Sequence, residues 1–561
     1  MNPKRILIVG GVAAGASAAT RARRLDEHAE IILFEKGPYV SFANCGLPYH
    51  VGGVIPEESS LLLVTPERFQ RWFDIDVRVR HEVTAIDRAA RRVAVLDHET
   101  GRTISEPYDA LVLAPGSRAV VPPLPGVDLP GVFLLRTVPD AREVRAWIEQ
   151  RAARRAVVIG AGPIGVEVAE NLRHRSLEVD LVELQDQILP SFDPEMIQPF
   201  AAHLSHHGVR LRLGQALEGV QSAADGSLEV ALSGGETLSA DLLILALGAR
   251  PETSLARSCG LTLGPGGGIA VDASMQTSDP FIWAAGDAVE SACLVAASGC
   301  NVALAGIANR QGRVAADAIA GRPAQMRAVL GTHVCGAFGM TVAATGSSEK
   351  RLAAEGRSDY QCVWLHPKHH AAYYPGAESI HMKLVFSKHD GALLGAQAVG
   401  KHDAEKRIDV IAMAMQLGGS VYDLEQAELC YAPQFGSAKD PVNLAGMIAA
   451  NQLRGDTQGL SWSHWPDEGA VLVDVREREE FERRHVPGAR SFPLSELRDR
   501  LSELPRDRDV WVYCQTGKRS YDAARLLLQR GFRAKTLLGG LETYEQFHAA
   551  ARSAPMPTPP K

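Results

Sequence analysis

Residues 5–15 read RILIVGGVAAG, and residues 31–35 read IILFE. RILIV is an uninterrupted apolar run of the length of a buried strand. The glycine-rich turn Gly10-Gly11-Val12-Ala13-Ala14-Gly15 follows, then a helix of small residues through Arg24 and a second apolar strand that ends at Glu35. Strand, tight turn, helix, strand and acid is the dinucleotide-binding arrangement. Gly10 permits the turn, Gly15 lets helix and strand approach, and the helix N-terminus faces a pyrophosphate. Glu35 is placed to accept hydrogen bonds from a ribose diol. Val12 stands where the usual G-x-G-x-x-G string has its middle glycine, so the framing carries this reading more than the string does.

A second unit begins at 156–159 and runs into Gly160-Ala161-Gly162-Pro163-Ile164-Gly165, a complete fingerprint. Its partner strand, 179–183, ends at Glu183. A carboxylate there binds the adenosine ribose hydroxyls and repels a 2'-phosphate. The next residues are Leu184 and Gln185 rather than arginine, which favours NADH over NADPH. Two fingerprints imply two dinucleotides, and a nicotinamide with a flavin is the natural pair, since a flavin accepts hydride and passes electrons on to sulfur. The string FIWAAGD at 281–287 supports FAD, with Asp287 near the ribityl chain and the N-terminus of the following helix pointing at the isoalloxazine. The strands in YDALVLAPGS (108–117) and DLLILALG (241–248) each end in a glycine turn where the chain can cross between nucleotide-binding domains.

The expected fold class is therefore α/β, with two Rossmann-like domains. FAD-binding segments at 1–120 and 245–325 flank an NAD(H)-binding domain at 121–244. A module at 326–452 follows, with strand-like runs at 379–386 and 392–399 and an apolar helix around 407–417. Residues 453–463, poor in apolar anchors, read as a linker. A small α/β domain occupies 464–553, and the proline-rich 554–561 is a tail.

A chain of 561 residues is too long for one core and fits three or four domains. Its net charge of −7 and lack of a Lys/Arg block argue against nucleic acid as a partner. The opening MNPKRILIVGG lacks the apolar core and cleavage site of a signal peptide, and runs such as 242–247 are far too short to span a bilayer. A cytoplasmic location without membrane insertion is expected. The eight cysteines (45, 259, 293, 300, 335, 362, 430 and 514) form no C-x-x-C pair and no cluster with histidines at metal-ligand spacing, so neither a disulfide scaffold nor a metal site is indicated.

Two of these cysteines stand apart. Cys45, in SFANCGLPY (41–49), follows the first fingerprint and its acid, where the chain returns toward a bound cofactor. Two-cysteine disulfide reductases carry their second cysteine after four intervening residues, and here that position is His50. Cys45 is thus expected to pair transiently with a sulfur of the substrate, or with oxygen; a purely structural cysteine is the alternative. As a thiolate it can attack a sulfur–sulfur bond and retain one half as a mixed disulfide. Cys514 opens the loop Cys514-Gln515-Thr516-Gly517-Lys518-Arg519-Ser520 between a strand at 509–513 and a helix. Backbone N–H groups of that loop, the helix N-terminus, and the charges of Lys518 and Arg519 all favour an anionic sulfur. The C-x4-R spacing is one residue shorter than the C-x5-R loop of cysteine phosphatases, which favours sulfur over phosphate.

At these residues the chain resembles known families. Residues 1–450 are similar to the coenzyme A disulfide reductase branch of the pyridine nucleotide–disulfide oxidoreductases. Residues 460–550 resemble a rhodanese domain in VDVRE (473–477), HVPGA (485–489) and CQTGKRS (514–520). The fusion resembles the coenzyme A disulfide/persulfide reductases that carry a C-terminal rhodanese. The resemblance implies FAD, an α+β dimerisation domain at 326–452, a homodimer, and a coenzyme A site near Cys45. It implies that Ser41, Phe42 and Asn44 lie on the substrate side, that Arg21 and Arg24 meet coenzyme A phosphates, and that Tyr431 of the second subunit serves the sulfur reaction with either Tyr373 or Tyr374. Related single-cysteine peroxidases and oxidases carry a histidine in the first glycine turn, where this chain has Ala13. The reading is an NADH-dependent persulfide or polysulfide reductase that releases sulfide, with sulfurtransferase activity at Cys514 and, as a partner, coenzyme A or a protein sulfur donor. Coenzyme A disulfide reduction for thiol balance is the main alternative. An NADH oxidase or peroxidase, or a redox-sensing partner protein, is less favoured.

Overall fold

The computed structural model describes residues 3–295 and 299–553, with side chains through Ala549; the expected tail 554–561 lies outside them. The chain forms two compact units, one of residues 1–182 and 209–331, the other of 183–208 and 332–561.

In the first unit, Arg5–Val9 is the middle strand of a five-stranded sheet. Its order is Ile282–Ala284, Ala110–Leu113, Arg5–Val9, Glu30–Glu35, Asp76–Val79, and every pairing is parallel. Ile6, Leu7 and Ile8 are buried on both faces of the sheet, so the strand reads as continuous apolar sequence. The helix Ala13–Leu25 presents Ala14, Gly15, Ala18, Ala19 and Ala22 inward and packs closely on the helix Ala305–Ile319. A second five-stranded sheet runs Val209–Leu213, Glu178–Glu183, Arg155–Ile159, Leu242–Leu245, Val132–Phe133. Between the two sheets the chain goes out through Ser117–Ala119 and returns through Ala249–Pro251, and these strands pair antiparallel. The two glycine-turn strands noted in the sequence lead into this crossing.

The second unit holds a five-stranded antiparallel sheet in the order His333–Ala337, Met340–Gly346, Leu393–Gly400, Ile380–Ser387, Tyr360–Leu365. The helix Pro194–His206 packs on this sheet, and so the segment 183–208 groups here. A buried ion cluster fixes it. Lys383 Nζ lies 2.8 Å from Asp193 Oδ2, 2.7 Å from Glu195 Oε1 and 2.6 Å from Glu349 Oε2. Burial opposes its charge, but Glu195 and Asp193 outweigh burial and hold the ammonium well above its ordinary pKa. Gln397 and Trp364 donate to Asp193 and Glu195 respectively, so the carboxylates are hydrogen-bonded as well as paired.

The C-terminal sheet is parallel, in the order Gly459–Leu460, Ala534–Leu537, Asp509–Tyr513, Ala470–Asp474, Arg490–Ser491. The expected linker 453–463 therefore contributes an edge strand, with Gly459 opposite Thr536. Trp462 is buried against Tyr513 and Tyr544. A two-residue strand leaves no periodicity to read. No helix among the described residues is long and apolar enough to cross a membrane.

Replacing Lys383 by Met leaves three carboxylates facing one another without their cation. Breaking a buried pair in this way costs about 3–5 kcal/mol, and a loss of that size in chemical denaturation is the expected outcome for Lys383→Met.

Candidate active site

The first glycine turn is a close fit between backbones. Gly10 has φ +94°, and a Cβ there would come within 2.1 Å of the Ala114 carbonyl oxygen. A Cβ on Gly15 would lie 1.8 Å from the Gly10 oxygen. The Gly11 and Gly37 N–H groups donate to the two oxygens of Glu35 at 2.9 and 2.8 Å. The helix Ala13–Leu25 has no side-chain cap, so its N-terminal N–H groups stay available. A cavity of about 520 Å³ runs from Gly10–Ala14 and Glu35 to Cys45, Arg136 and Asp287.

Asp287 lies in the short turn Gly286–Ala288. Ser117 Oγ donates to its Oδ2 at 3.0 Å and accepts from Arg136 Nη2 at 3.0 Å. A two-residue strand, Val289–Glu290, comes next, and the following helix is Ala305–Ile319, whose Ala305 and Ala308 line the same cavity as Asp287. The extended Val289 backbone, at φ −101° and ψ 154°, ends the turn.

Cys45 sits in the 3-10 turn Asn44–Gly46 that leads into the helix Leu47–Gly52. Ser41 N–H donates to the Gly11 carbonyl at 2.8 Å and thereby ties this loop to the glycine turn. Asn44 Oδ1 accepts the Cys45 N–H at 3.1 Å and lies 3.7 Å from its sulfur. Phe42, Asn44 and Cys45 line the cavity, whereas Ser41, Arg21 and Arg24 are not among its lining residues. Arg21, expected to meet a phosphate, is held by Asp317 through Nε and Nη2 at 2.9 and 2.6 Å. Arg24 is exposed.

The second fingerprint repeats the construction. A Cβ on Gly160, at φ +101°, would meet the Ala246 oxygen at 2.5 Å, and one on Gly165 would meet the Gly160 oxygen at 1.8 Å. Gly162 faces open space with nothing within 4 Å, and the helix Pro163–His174 that it caps has no side-chain cap. The partner strand ends at Glu183, whose Oε1 accepts the Gln185 N–H at 3.0 Å.

In the second unit, Tyr373 and Tyr431 join hydroxyl to hydroxyl at 2.9 Å, and both are exposed. Tyr374 instead sets its ring edge-on to His370. The alternative between Tyr373 and Tyr374 is thus divided by geometry: Tyr373 is the one paired with Tyr431. Cys514 is 1% exposed at the end of the strand Asp509–Tyr513, and its sulfur accepts the Gly517 N–H at 3.2 Å. Gly517, at φ +104°, opens the helix Lys518–Gln529, and Ser520 Oγ closes the turn on the Gly517 carbonyl at 2.9 Å. Gln515 is held between Arg476 and Glu542, while Thr516 and Lys518 are exposed. Arg519 departs from expectation. Its guanidinium makes two bonds to Glu480, at 2.6 and 2.8 Å, and pulls that carboxyl down to about 2. Arg519 still lies close enough to Cys514 for their charges to interact, and Lys518 is exposed beside it.

Family comparison agrees with this geometry. A model of the pyridine nucleotide-disulphide oxidoreductases matches residues 4–312. The chain belongs to that family. The family's dimerisation domain matches 332–440, which points to a homodimer, and a rhodanese-like domain matches 462–547. Coenzyme A disulfide reductase of Staphylococcus epidermidis is 35% identical over 446 residues, covering 79% of this chain and 99% of the relative. The crystal structure of reduced Bacillus anthracis CoADR-RHD superposes with a TM-score of 0.95 at 42% identity, over 97% of this chain and 98% of the other. A NAD-dependent persulfide reductase from A. fulgidus gives 0.89 at 36% identity, over 96% and 100%. The family implies FAD and NAD(P)H. The uncapped helix N-termini, the hydrogen-bonded Glu35 and the open face of Gly162 fit such dinucleotides.

In this family setting the acid beside Cys45, missed in the sequence, becomes informative. Glu167 lies on the helix Pro163–His174, which packs against the helix Leu47–Gly52 so tightly that a Cβ on Gly52 would meet Asn171 Oδ1 at 2.2 Å. Burial and then Glu170 push the Glu167 carboxyl up to about 7, against a hydrogen bond from Tyr49. Burial, then Glu167, then Asp287 push the Cys45 thiol up. The signal was an acid one turn into the second fingerprint helix, at a position that reads equally as solvent-facing. Removing its charge favours the thiolate. Glu167→Gln is expected to lower the Cys45 pKa and speed iodoacetamide alkylation of Cys45 near neutral pH several-fold, with the gain vanishing below about pH 6, where Glu167 is protonated in the unmodified chain.

Proposed function

We propose that the chain is a FAD-dependent NADH:coenzyme A persulfide or polysulfide reductase that works through Cys45 and releases sulfide, with Cys514 carrying sulfane sulfur. The observation that carries this reading is a lone cysteine on the dinucleotide cavity, in the same chain as a second cysteine whose sulfur accepts a loop N–H. Position 50 is a buried histidine, so Cys45 has no neighbouring thiol with which to close a local disulfide. The sulfur it bonds to must then come from the substrate.

The Cys45 thiolate attacks the carbon-bound sulfur of a coenzyme A persulfide. The new bond is Cys45–S–S–CoA, the persulfide S–S bond breaks, and hydrosulfide leaves with the electron pair. When bound, FAD supplies two electrons drawn from NADH, and with one proton these return Cys45 to thiolate and free coenzyme A. Asn44 holds the Cys45 turn through its amide oxygen, and Glu167, charged in part near neutrality, holds a proton close to the reacting sulfur. In a homodimer, Tyr431 and Tyr373 of one protomer, joined hydroxyl to hydroxyl, serve the Cys45 site of the other. Glu183, followed by Leu184 and Gln185, favours NADH. At Cys514 the Gly517 N–H and the helix N-terminus stabilise a persulfide anion once sulfur is accepted from thiosulfate, polysulfide or a protein donor.

The second reading is coenzyme A disulfide reduction, favoured by the likeness to the staphylococcal relative. The same Cys45 chemistry serves it, but it gives the rhodanese-like domain nothing to do. Anaerobic NADH turnover with coenzyme A persulfide and coenzyme A disulfide side by side separates the two. Faster persulfide turnover with one sulfide per NADH is expected; dominant disulfide turnover overturns the proposal. Cys45→Ser abolishes turnover while FAD stays bound. Cys514→Ala abolishes thiosulfate-dependent sulfur transfer and spares reduction of preformed persulfide.

A further inference from the structure

The first turn of the helix Gly540–Ser553 touches the Cys514 loop on one side and the antiparallel sheet on the other. Leu541 N–H donates to the Cys514 carbonyl at 2.8 Å, and Glu542 N–H to the Gln515 carbonyl at 3.1 Å. Gln515 Nε2 donates in return to Glu542 Oε1 at 2.9 Å. One residue on, Thr543 Oγ1 lies 2.7 Å from His366 Nε2, and His366 Nδ1 lies 2.7 Å from His381 Nδ1. Gln546 Nε2 completes the set, 3.1 Å from His381 Nδ1. His366 follows the strand Tyr360–Leu365, and His381 lies in the strand Ile380–Ser387.

Two glycines form the shim between these groups. Gly539 and Gly540 both take positive φ, +69° and +65°. A Cβ on Gly539 would come within 1.9 Å of Thr543 Oγ1 and 3.1 Å of His366 Nε2, and one on Gly540 within 2.4 Å of the Cys514 carbonyl oxygen. The turn therefore has no slack. A displacement at the histidines passes to the loop that holds the sulfur. Trp364 and Phe547 pack edge-on at 5.9 Å beside it and keep the helix on the sheet.

The contacts constrain the ring protons. His366 and His381 share one Nδ1–H···Nδ1 hydrogen bond, and the second ring nitrogen of His366 exchanges one with the Thr543 hydroxyl. Neutral rings, one donating and one accepting at Nδ1, satisfy the contact between the two histidines. Burial, reinforced by His381, pushes His366 well down. Burial also pushes His381 down, with Glu542 opposing and Lys368 adding to the shift. Glu545, on the same helix, is paired to Arg484 at 2.7 Å.

We propose that His366 and His381 are positioning residues for Cys514: they hold the Gly539–Thr543 turn against the sulfur loop, so that sulfur loading depends on this helix being docked on the sheet. The proposal rests on the reading of Cys514 as a sulfane carrier. Docking keeps the histidines neutral, whereas an undocked helix leaves them free to bind protons. Below the ordinary histidine pKa of about 6.5 the undocked form binds more protons, so docking is full above that pH and weakens as pH falls below it.

The test uses the full-length FAD-loaded chain. Thr543→Val keeps the shape and removes the hydroxyl; Thr543→Ser keeps the hydroxyl. For Thr543→Val, hydrogen exchange at residues 541–543 and alkylation of Cys514 are expected to rise about tenfold, the cost of one buried hydrogen bond left unmade. Thiosulfate-to-cyanide sulfur transfer falls by a similar factor, and its acid limb moves toward neutral pH. Thr543→Ser restores all of these, and Cys45-dependent reduction of a preformed persulfide is unchanged in both. Unchanged exchange in Thr543→Val overturns the proposal, as does faster exchange with Cys514 alkylation at the unmodified rate. If the unmodified chain transfers no sulfur, the functional reading of Cys514 fails, and the exchange and alkylation measurements alone decide the positioning role.

Discussion

A Cβ on Gly15 would lie 1.8 Å from the Gly10 carbonyl oxygen, and a Cβ on Gly10 would lie 2.1 Å from that of Ala114. This contact of bare backbones sets the geometry of the flavin-side cavity. It lets the helix Ala13–Leu25 start directly at the end of the central strand, with its N–H groups turned to the cavity. It also leaves the Gly11 carbonyl free to accept Ser41 N–H, which brings the Cys45 loop back beside the turn. The position of the Cys45 sulfur is thus set two steps away from itself, by residues chosen for what they lack. The second fingerprint repeats the close approaches at Gly160 and Gly165 and leaves Gly162 facing open space, where the family's second dinucleotide requires room.

What could be read from the sequence follows the same distinction. Both fingerprints, their acids and the Cys514 loop were legible because each is local: strand, turn and helix lie within some 30 residues, and the glycines mark positive φ or close approach. The edge strand Gly459–Leu460 was not legible, since two residues carry no period and the pairing partner, Thr536, is far away in the chain. Ion pairs were harder still. Arg519 and Arg21 look alike in sequence as basic groups near anion sites, yet each spends its charge on an acid from a distant element, Glu480 and Asp317. Charge counted along a chain says nothing of where its partner folds.

The cluster around Lys383 shows why segment 183–208 groups with the dimerisation sheet. An ammonium beside two buried carboxylates and the partly exposed Glu349 is tolerable only if the buried carboxylates keep further donors. Asp193 has the N–H groups of Glu349 and Lys350 and the amide of Gln397, and Glu195 has the indole of Trp364. Those donors come from separate strands and a helix start. The cluster therefore specifies one arrangement of the segment on the sheet, whatever its net contribution to stability.

The two sulfur sites are built on opposite electrostatic plans. Cys45 has acids as neighbours, Glu167 and Asp287, which oppose a second negative charge until something else in the cavity compensates it. Cys514 meets a backbone donor at the head of a helix, and the nearby guanidinium of Arg519 is taken up by Glu480. A site of the first kind leaves its charge to be set by what enters the cavity, which suits a sulfur that must switch between attack and release. A site of the second kind offers a standing partner for an anion, which suits a sulfur that must hold cargo. Under the proposed function the same residue type serves two different tasks, and the difference lies in which side chains and N–H groups the fold brings to each sulfur.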